Sequence, residues 1–280
     1  MPTLIPDVRQ FAAEFERRGF VIIPGVLSPD ETARLNRAVD GHLRDYPAEW
    51  AELSDSLLQT PSILSHVPEF DATIEHTHTL GMVRSILGEE VSFEELGVMI
   101  RNPTQNLDEV KGWHRDITRD YDRRHEIDAV SVVFYLTDVT ADDHCFSIVP
   151  ETHRRCIDMR PTDVRPGDEV DILAPAGSAV IFHARCIHNG KLKPHSRPRR
   201  TIHIYYSRAN GPRTSEWTEI PERLYRKSDP ELPPRLYCKW NVTDIFDGTG
   251  KKPRGLDRSL PFREQLRMVQ KLAREQNLRT

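Results

Sequence analysis

Hydrophobic and polar positions change their spacing near residue 90. Before it the period is helical. VRQFAAEFERR (8–18) sets Phe11 and Phe15 at i, i+4, and HTLGMVRSILG (78–88) sets Leu80, Val83 and Leu87 on one side. Ser28-Pro29-Asp30-Glu31 supplies a serine N-cap, a proline at N1 and a glutamate at N3, so a capped helix is expected from there to about Tyr46. GFVIIPG (19–25) reads as a strand ended by Pro-Gly. After residue 90 come short β-rich runs separated by Pro, Gly and Asp: VSFEELGVMIR (91–101), DAVSVVFYL (128–136), CFSIVP (145–150), VDIL (170–173), SAVIFHARCI (178–187) and RRTIHIYYS (199–207). Helices followed by a block of strands imply a mainly β, α+β chain with flanking helices, not an alternating βαβ sheet. From about 208 the chain turns polar and proline-broken, closing with one amphipathic helix over about 261–277. One β-barrel-like domain is expected over 1–280: a β core at about 91–207, helical support at 8–90 and a C-terminal lid or extension at 208–280.

Composition narrows the partners. A chain of 280 residues can bury a substantial core, and a formal charge of −4 gives no single-signed field for nucleic acid or an anionic membrane. No stretch approaches the roughly 20 apolar residues that cross a bilayer. MPTLIPDVRQF lacks the basic-then-apolar order of a secretion signal. The four cysteines show no CxxC spacing, so free thiols in a reducing, cytoplasmic setting are expected. The basic run KLKPHSRPRR (191–200) has no aromatic interleaving and reads as surface charge. A monomer or homodimer acting on a small molecule fits these totals.

The candidate chemistry begins at GWHRDITRD (112–120). In an extended strand His114 and Asp116 point to one face and can hold one metal ion between them. With 12 histidines and 43 acidic residues in 280 positions, about two H-x-[DE] pairs arise by chance, so a third ligand must come from elsewhere. GSAVIFHARCIHNG (177–190) offers His183, inside a strand, and His188, ending it before an Asn189-Gly190 turn. Spacing alone leaves both open. In RPRRTIHIYY, Arg199, Thr201, His203 and Tyr205 share one strand face, and Arg200, Ile202, Ile204 and Tyr206 share the other. A cationic, hydroxyl-rich face suits an anion: arginine binds a carboxylate in bidentate fashion, and a hydroxyl two residues on adds a hydrogen bond. Two histidines, a carboxylate and a nearby arginine compose the facial triad of non-haem Fe(II) oxygenases. A rival is a zinc hydrolase using His76 and His78, although that H-x-H pair opens a helix, where i and i+2 diverge. A non-catalytic small-molecule-binding β-barrel is a third reading. Trp113 is expected to pack in a wall, and Trp217, Tyr225 and Trp240 either line a lid or pack structurally.

Taken in order, GFVIIPGVLSPDETARL, GWHRD, YLTDVTADDHCFSIVPETHR, GSAVIFHARCIHNG and RPRRT resemble the phytanoyl-CoA dioxygenase family of Fe(II)- and 2-oxoglutarate-dependent oxygenases, over roughly residues 10–207. The resemblance implies a double-stranded β-helix, the cupin-like jelly roll. It implies His114 and Asp116 as proximal metal ligands, His188 rather than His183 as the distal one, and Arg199 as the anchor of the 2-oxoglutarate distal carboxylate. The family's serine contact to 2-oxoglutarate is missing at Gly190, and Thr201 or Tyr135 is the candidate replacement. Implied cosubstrates are 2-oxoglutarate and O2, with succinate and CO2 formed. Retention of Asp116 argues for oxygenation over halogenation. Hydroxylation is the default outcome; epimerisation, desaturation and ring closure share the same cofactor chemistry.

Overall fold

The computed structural model describes residues 8–108, 112–116, 129–156, 158–194, 196–210, 220–225, 236–237 and 245–246. Two antiparallel sheets form the centre. The larger contains β1 (Phe20–Ile23), β2 (Ala51–Ser54), β3 (Leu57–Thr60), β4 (Val91–Arg101), β5 (Ala129–Tyr135), β8 (Ala179–His183) and β10 (Arg199–Arg208), in the order β1-β8-β5-β10-β4-β3-β2. The smaller runs β7-β6-β9, from β6 (Cys145–Ile148), β7 (Val170–Ile172) and β9 (His188–Lys191). This is the expected double-stranded β-helix, a cupin-like jelly roll.

Strand alternation decides which residues enter the space between the sheets. Phe20, Val133, Tyr135, Val180 and Phe182 of the large sheet meet Cys145, Phe146, Ile148 and Ile172 of the small one in one buried cluster. The opposite face of the large sheet carries Val98, Ile100, Val132, Phe134, Ile202, Ile204 and Tyr206. Helices cover it: α1 (Val8–Arg18), α2 (Pro29–Asp45), the single turns α3 (Ile63–His66) and α4 (Asp71–Ile74), and α5 (Thr77–Leu87). Phe11 and Phe15 of α1, and Leu80, Val83 and Leu87 of α5, enter this second core as their spacing predicts. Ser28 caps α2 with both halves of the capping box in place, accepting from Glu31 N while its own N–H donates to the Glu31 carboxylate at 2.8 Å.

Two expectations need correction. Residues 178–187 are not one strand: β8 ends at His183, the chain turns through 184–187, and His188 opens β9 in the other sheet, so Asn189-Gly190 lies inside a strand rather than at a turn. The break escapes pattern reading because every residue from 178 to 188 is buried, leaving no polar alternation to mark it. The N-terminal support is also not purely helical. β2 and β3 form a hairpin paired with β4, Leu57 opposite Arg101 and Thr60 opposite Val98. The helix expected over 261–277, most of the lid, the loop 117–127, Trp217 and Trp240 lie outside the described residues. Within the C-terminal part, β11 (Ile220–Pro221) pairs in parallel with β12 (Ile245–Phe246), and α6 (Glu222–Tyr225) follows β11. Among the described residues no helix is long and apolar enough to cross a membrane.

Candidate metal centre

The segment 114–116 lies along the turn that leads into β9. His114 N–H donates to His188 O at 3.1 Å and His188 N–H to His114 O at 3.0 Å, and Asp116 N–H reaches Ala184 O at 3.1 Å. This two-residue ladder brings both histidines side by side, their ring centroids 4.4 Å apart. Each imidazole is oriented from behind: His114 Nδ1 lies 2.9 Å from Gly112 O and His188 Nδ1 3.0 Å from Cys186 O. A carbonyl accepts and never donates, so Nδ1 carries a proton; Nε2 either carries a second one and pairs with Asp116 or, on losing it, presents a lone pair forward. Both Nε2 atoms converge on Asp116 Oδ1, at 3.7 Å from His114 and 3.3 Å from His188. The three ligand atoms lie within 4.8 Å of one another, close enough to hold one ion. Phe146 and Phe182 pack around the His188 ring, with centroids at 5.2 and 4.9 Å.

Asp116 is deeply enclosed, and burial alone would push its carboxyl up. The His188 charge and hydrogen bond, a hydrogen bond from Tyr205 and the His114 charge outweigh that, holding it at about 2. It is therefore a carboxylate at neutral pH. Between His114 and Asp116, Arg115 points the other way. Its buried guanidinium donates to Thr152 O at 2.8 Å, Met159 O at 2.9 Å and Arg185 O. The residue between His and Asp thus fastens the segment to the loop after β6.

Arg199 opens β10 and is buried, with Nε and Nη1 lacking any hydrogen-bond partner. The Tyr135 hydroxyl, also fully buried and near enough to Arg199 to feel its charge, is likewise without a partner. Among the described residues nothing compensates this cation or satisfies these donors, which is costly in a buried place and which an anion would relieve. Thr201 is buried opposite Tyr135 in the β10–β5 register, but its hydroxyl meets His203 Nε2 at 3.0 Å. His203 is pushed down to about 3 by burial first and then by Arg199. Tyr205 donates to Asp116 Oδ2 at 2.8 Å. Alternation puts Tyr205 on the face of Arg199, yet its reach to Asp116 depends on sheet stagger that spacing does not reveal.

Among the described residues, several other histidines take structural places. His183 is fully enclosed at the end of β8, stacks on Phe15 at 6.3 Å, and accepts the Arg185 N–H on Nδ1 at 3.1 Å. His76 precedes the first turn of α5 without a side-chain capping bond, its ring 5.6 Å from that of His78, and among the described residues neither belongs to a cluster that can hold a metal. A second cluster, His42, Glu49 and His66, has the spacing for one. There Trp50 Nε1–H donates to His42 Nδ1 at 3.1 Å, which fixes the proton on Nε2, aimed at Glu49 Oε2 3.4 Å away. With Nδ1 taken by Trp50 and the proton on Nε2, His42 offers no free lone pair to an ion. Trp113 packs against the buried group of Val149, Met159 and Ile187, as wall packing requires.

The fold has well-defined relatives among solved structures. The α-ketoglutarate-dependent epimerase SnoN from nogalamycin biosynthesis superposes with a TM-score of 0.59 at 20% identity, covering 72% of this chain and 81% of its own. The carbocyclase SnoK from the same biosynthesis gives 0.61 at 20% identity, covering 72% and 84%. HygX from Streptomyces hygroscopicus, solved with nickel and 2-oxoglutarate bound, gives 0.60 at 16% identity, covering 73% and 89%. No curated protein matches the sequence significantly. The family model described as phytanoyl-CoA dioxygenase (PhyH) matches residues 15–201, well over half of the chain. The chain belongs to the phytanoyl-CoA dioxygenase family and is an Fe(II)/2-oxoglutarate-dependent oxygenase.

Proposed function

We propose that the protein oxidises an unactivated C–H bond of a small organic molecule, most simply by hydroxylation, in natural-product metabolism. His114 Nε2, Asp116 Oδ1 and His188 Nε2 hold Fe(II), and Arg199 with Tyr135 holds the distal carboxylate of 2-oxoglutarate. The observation that carries this reading is the convergence of the three ligand atoms within 4.8 Å of one another, with a buried guanidinium that finds no partner for two of its nitrogens among the described residues on the β10 face whose Tyr205 bonds Asp116. When bound, the iron and cosubstrate supply oxidising power by coupling dioxygen reduction and 2-oxoglutarate decarboxylation to oxidation of the substrate.

The chain's own residues do the rest. Asp116, ionised and half of a paired charge set, neutralises part of the dication. The Gly112 and Cys186 carbonyls fix which imidazole nitrogen faces the ion. Arg199 compensates one carboxylate charge and orients the chelating end of the dicarboxylate toward the ligands. Tyr135 suits the missing serine's role better than Thr201, because only the Tyr135 hydroxyl lacks a partner. Phe146 and Phe182 keep water from the back of His188. On the open side, Glu95, Met99, His203 and Tyr205 of β4 and β10 are only partly buried and form a wall for substrate.

The likeness to SnoN and SnoK supports a natural-product substrate, and it keeps epimerisation and ring closure as the second reading. The absence of CxxC spacing and the free thiols of Cys145, Cys156 and Cys186 support a cytoplasmic setting. The test is a substrate panel with Fe(II) and 2-oxoglutarate, read as succinate formed. We expect stimulation by at least one small molecule, lost in His114→Ala. Equal succinate formation by the parent and His114→Ala contradicts the assignment.

A further inference from the structure

The two oxygens of Asp116 have different neighbours. Oδ1 faces both histidine Nε2 atoms, whereas Oδ2 accepts the 2.8 Å hydrogen bond of the Tyr205 hydroxyl. Tyr205 sits on the inner face of β10, in the alternate-residue row that begins at Arg199. The β10–β4 register slips between Tyr205 and Tyr206, so that Tyr205 faces Glu95 and Tyr206 faces Phe93. The extra residue, Glu94, lies on β4, and β10 keeps its regular alternation through Tyr205 and Tyr206. Tyr206 turns to the helical side, where its hydroxyl donates to Ile74 O at 2.7 Å. Two adjacent tyrosine hydroxyls therefore serve opposite faces of one sheet.

A carboxylate can bind an ion through one oxygen or through both. Chelation through both would fill a coordination position beyond the three that the triad uses, and a facial triad works by leaving positions open. We infer that Tyr205 is a positioning residue, its hydroxyl holding Asp116 Oδ2 so that Asp116 ligates through Oδ1 alone and the positions for 2-oxoglutarate and dioxygen stay vacant. This rests on Asp116 being a metal ligand, as proposed above.

The experiment compares the parent, Tyr205→Phe, Tyr206→Phe and Asp116→Ala, each loaded with Co(II) as a spectroscopic probe. The visible Co(II) absorption reports coordination, and titration with 2-oxoglutarate reports access to the remaining positions. Tyr205→Phe is expected to alter the absorption and to weaken 2-oxoglutarate binding by roughly tenfold to a hundredfold. Tyr206→Phe removes an equivalent hydrogen bond on the far face, so it is expected to leave both readouts at the parent's values while changing only thermal stability. Parent-like absorption and 2-oxoglutarate affinity in Tyr205→Phe overturn the inference while leaving the triad intact. Unchanged Co(II) binding in Asp116→Ala overturns the triad itself, and this inference with it.

Discussion

Arg199 imposes the severest energetic demand of any residue in the site. A buried guanidinium without a counter-ion costs several kcal/mol relative to a well-packed apolar side chain, because its solvation is lost and nothing replaces it. On the proposed reading the distal carboxylate of 2-oxoglutarate offsets that cost. Arg199→Met is accordingly expected to raise the melting temperature of the metal-free protein, or leave it unchanged, while increasing the KM for 2-oxoglutarate about a hundredfold. Calorimetry and succinate kinetics check this, and a lowered melting temperature with an unchanged KM would contradict it. At this scale, sequence reading reached the H-x-D pair because i and i+2 share a face, but His183 and His188 were indistinguishable by spacing. What separates them is a turn at 184–187 that sends only His188 into the second sheet. Arg115 and Tyr205 were invisible as site residues, since their contacts join segments distant in sequence.

The elements position the centre through a small number of long-range hydrogen bonds. The 114–116 segment has one isolated bridge to His188 and depends on Arg115 to hold it against the loop at 152–159. In Arg115→Met the carbonyls of Thr152, Met159 and Arg185 each lose a charged donor, and a hydrogen bond to a charged group contributes about 1.5–3 kcal/mol. The expected outcome is a stability loss of about 3 kcal/mol or more in urea unfolding, together with weaker metal binding. A variant that keeps both at the parent's level would show that the bridge suffices. The β2–β3 hairpin escaped pattern reading for a related reason. Its residues are half-exposed, Leu53 is 58% accessible, and its strand state comes from pairing with β4 rather than from its own alternation. α1, α2, α5 and β4 follow their local signals closely because caps and amphipathic spacing are local properties.

Across the whole molecule, the order of helices and then strands reveals a mainly β, α+β chain and the family resemblance adds the jelly roll, whereas strand order follows from neither: β1 pairs with β8, and β10 lies between β4 and β5. Such closure also buries titratable groups outside the ligand set. Burial holds His183 down at about 3, and it also lowers His42 and His153 from the ordinary value of 6.5. With folded values below the unfolded one, the unfolded chain binds more protons as pH falls through 6.5, so stability is full above that pH and declines toward about 3. Urea unfolding is expected to show a lower free energy at pH 5.2 than at pH 7.5, values chosen roughly to bracket the histidine window but lie above the carboxylate range. A flat profile there would mean these histidines take up protons while folded. The most direct test of the metal centre is a crystal grown with Mn(II) and 2-oxoglutarate and measured at a wavelength where manganese scatters anomalously. The expected result is one anomalous peak within bonding distance of His114, Asp116 and His188, with the distal carboxylate on Arg199. A peak at His42, Glu49 and His66 instead, or a 2-oxoglutarate carboxylate remote from Arg199, would contradict the account.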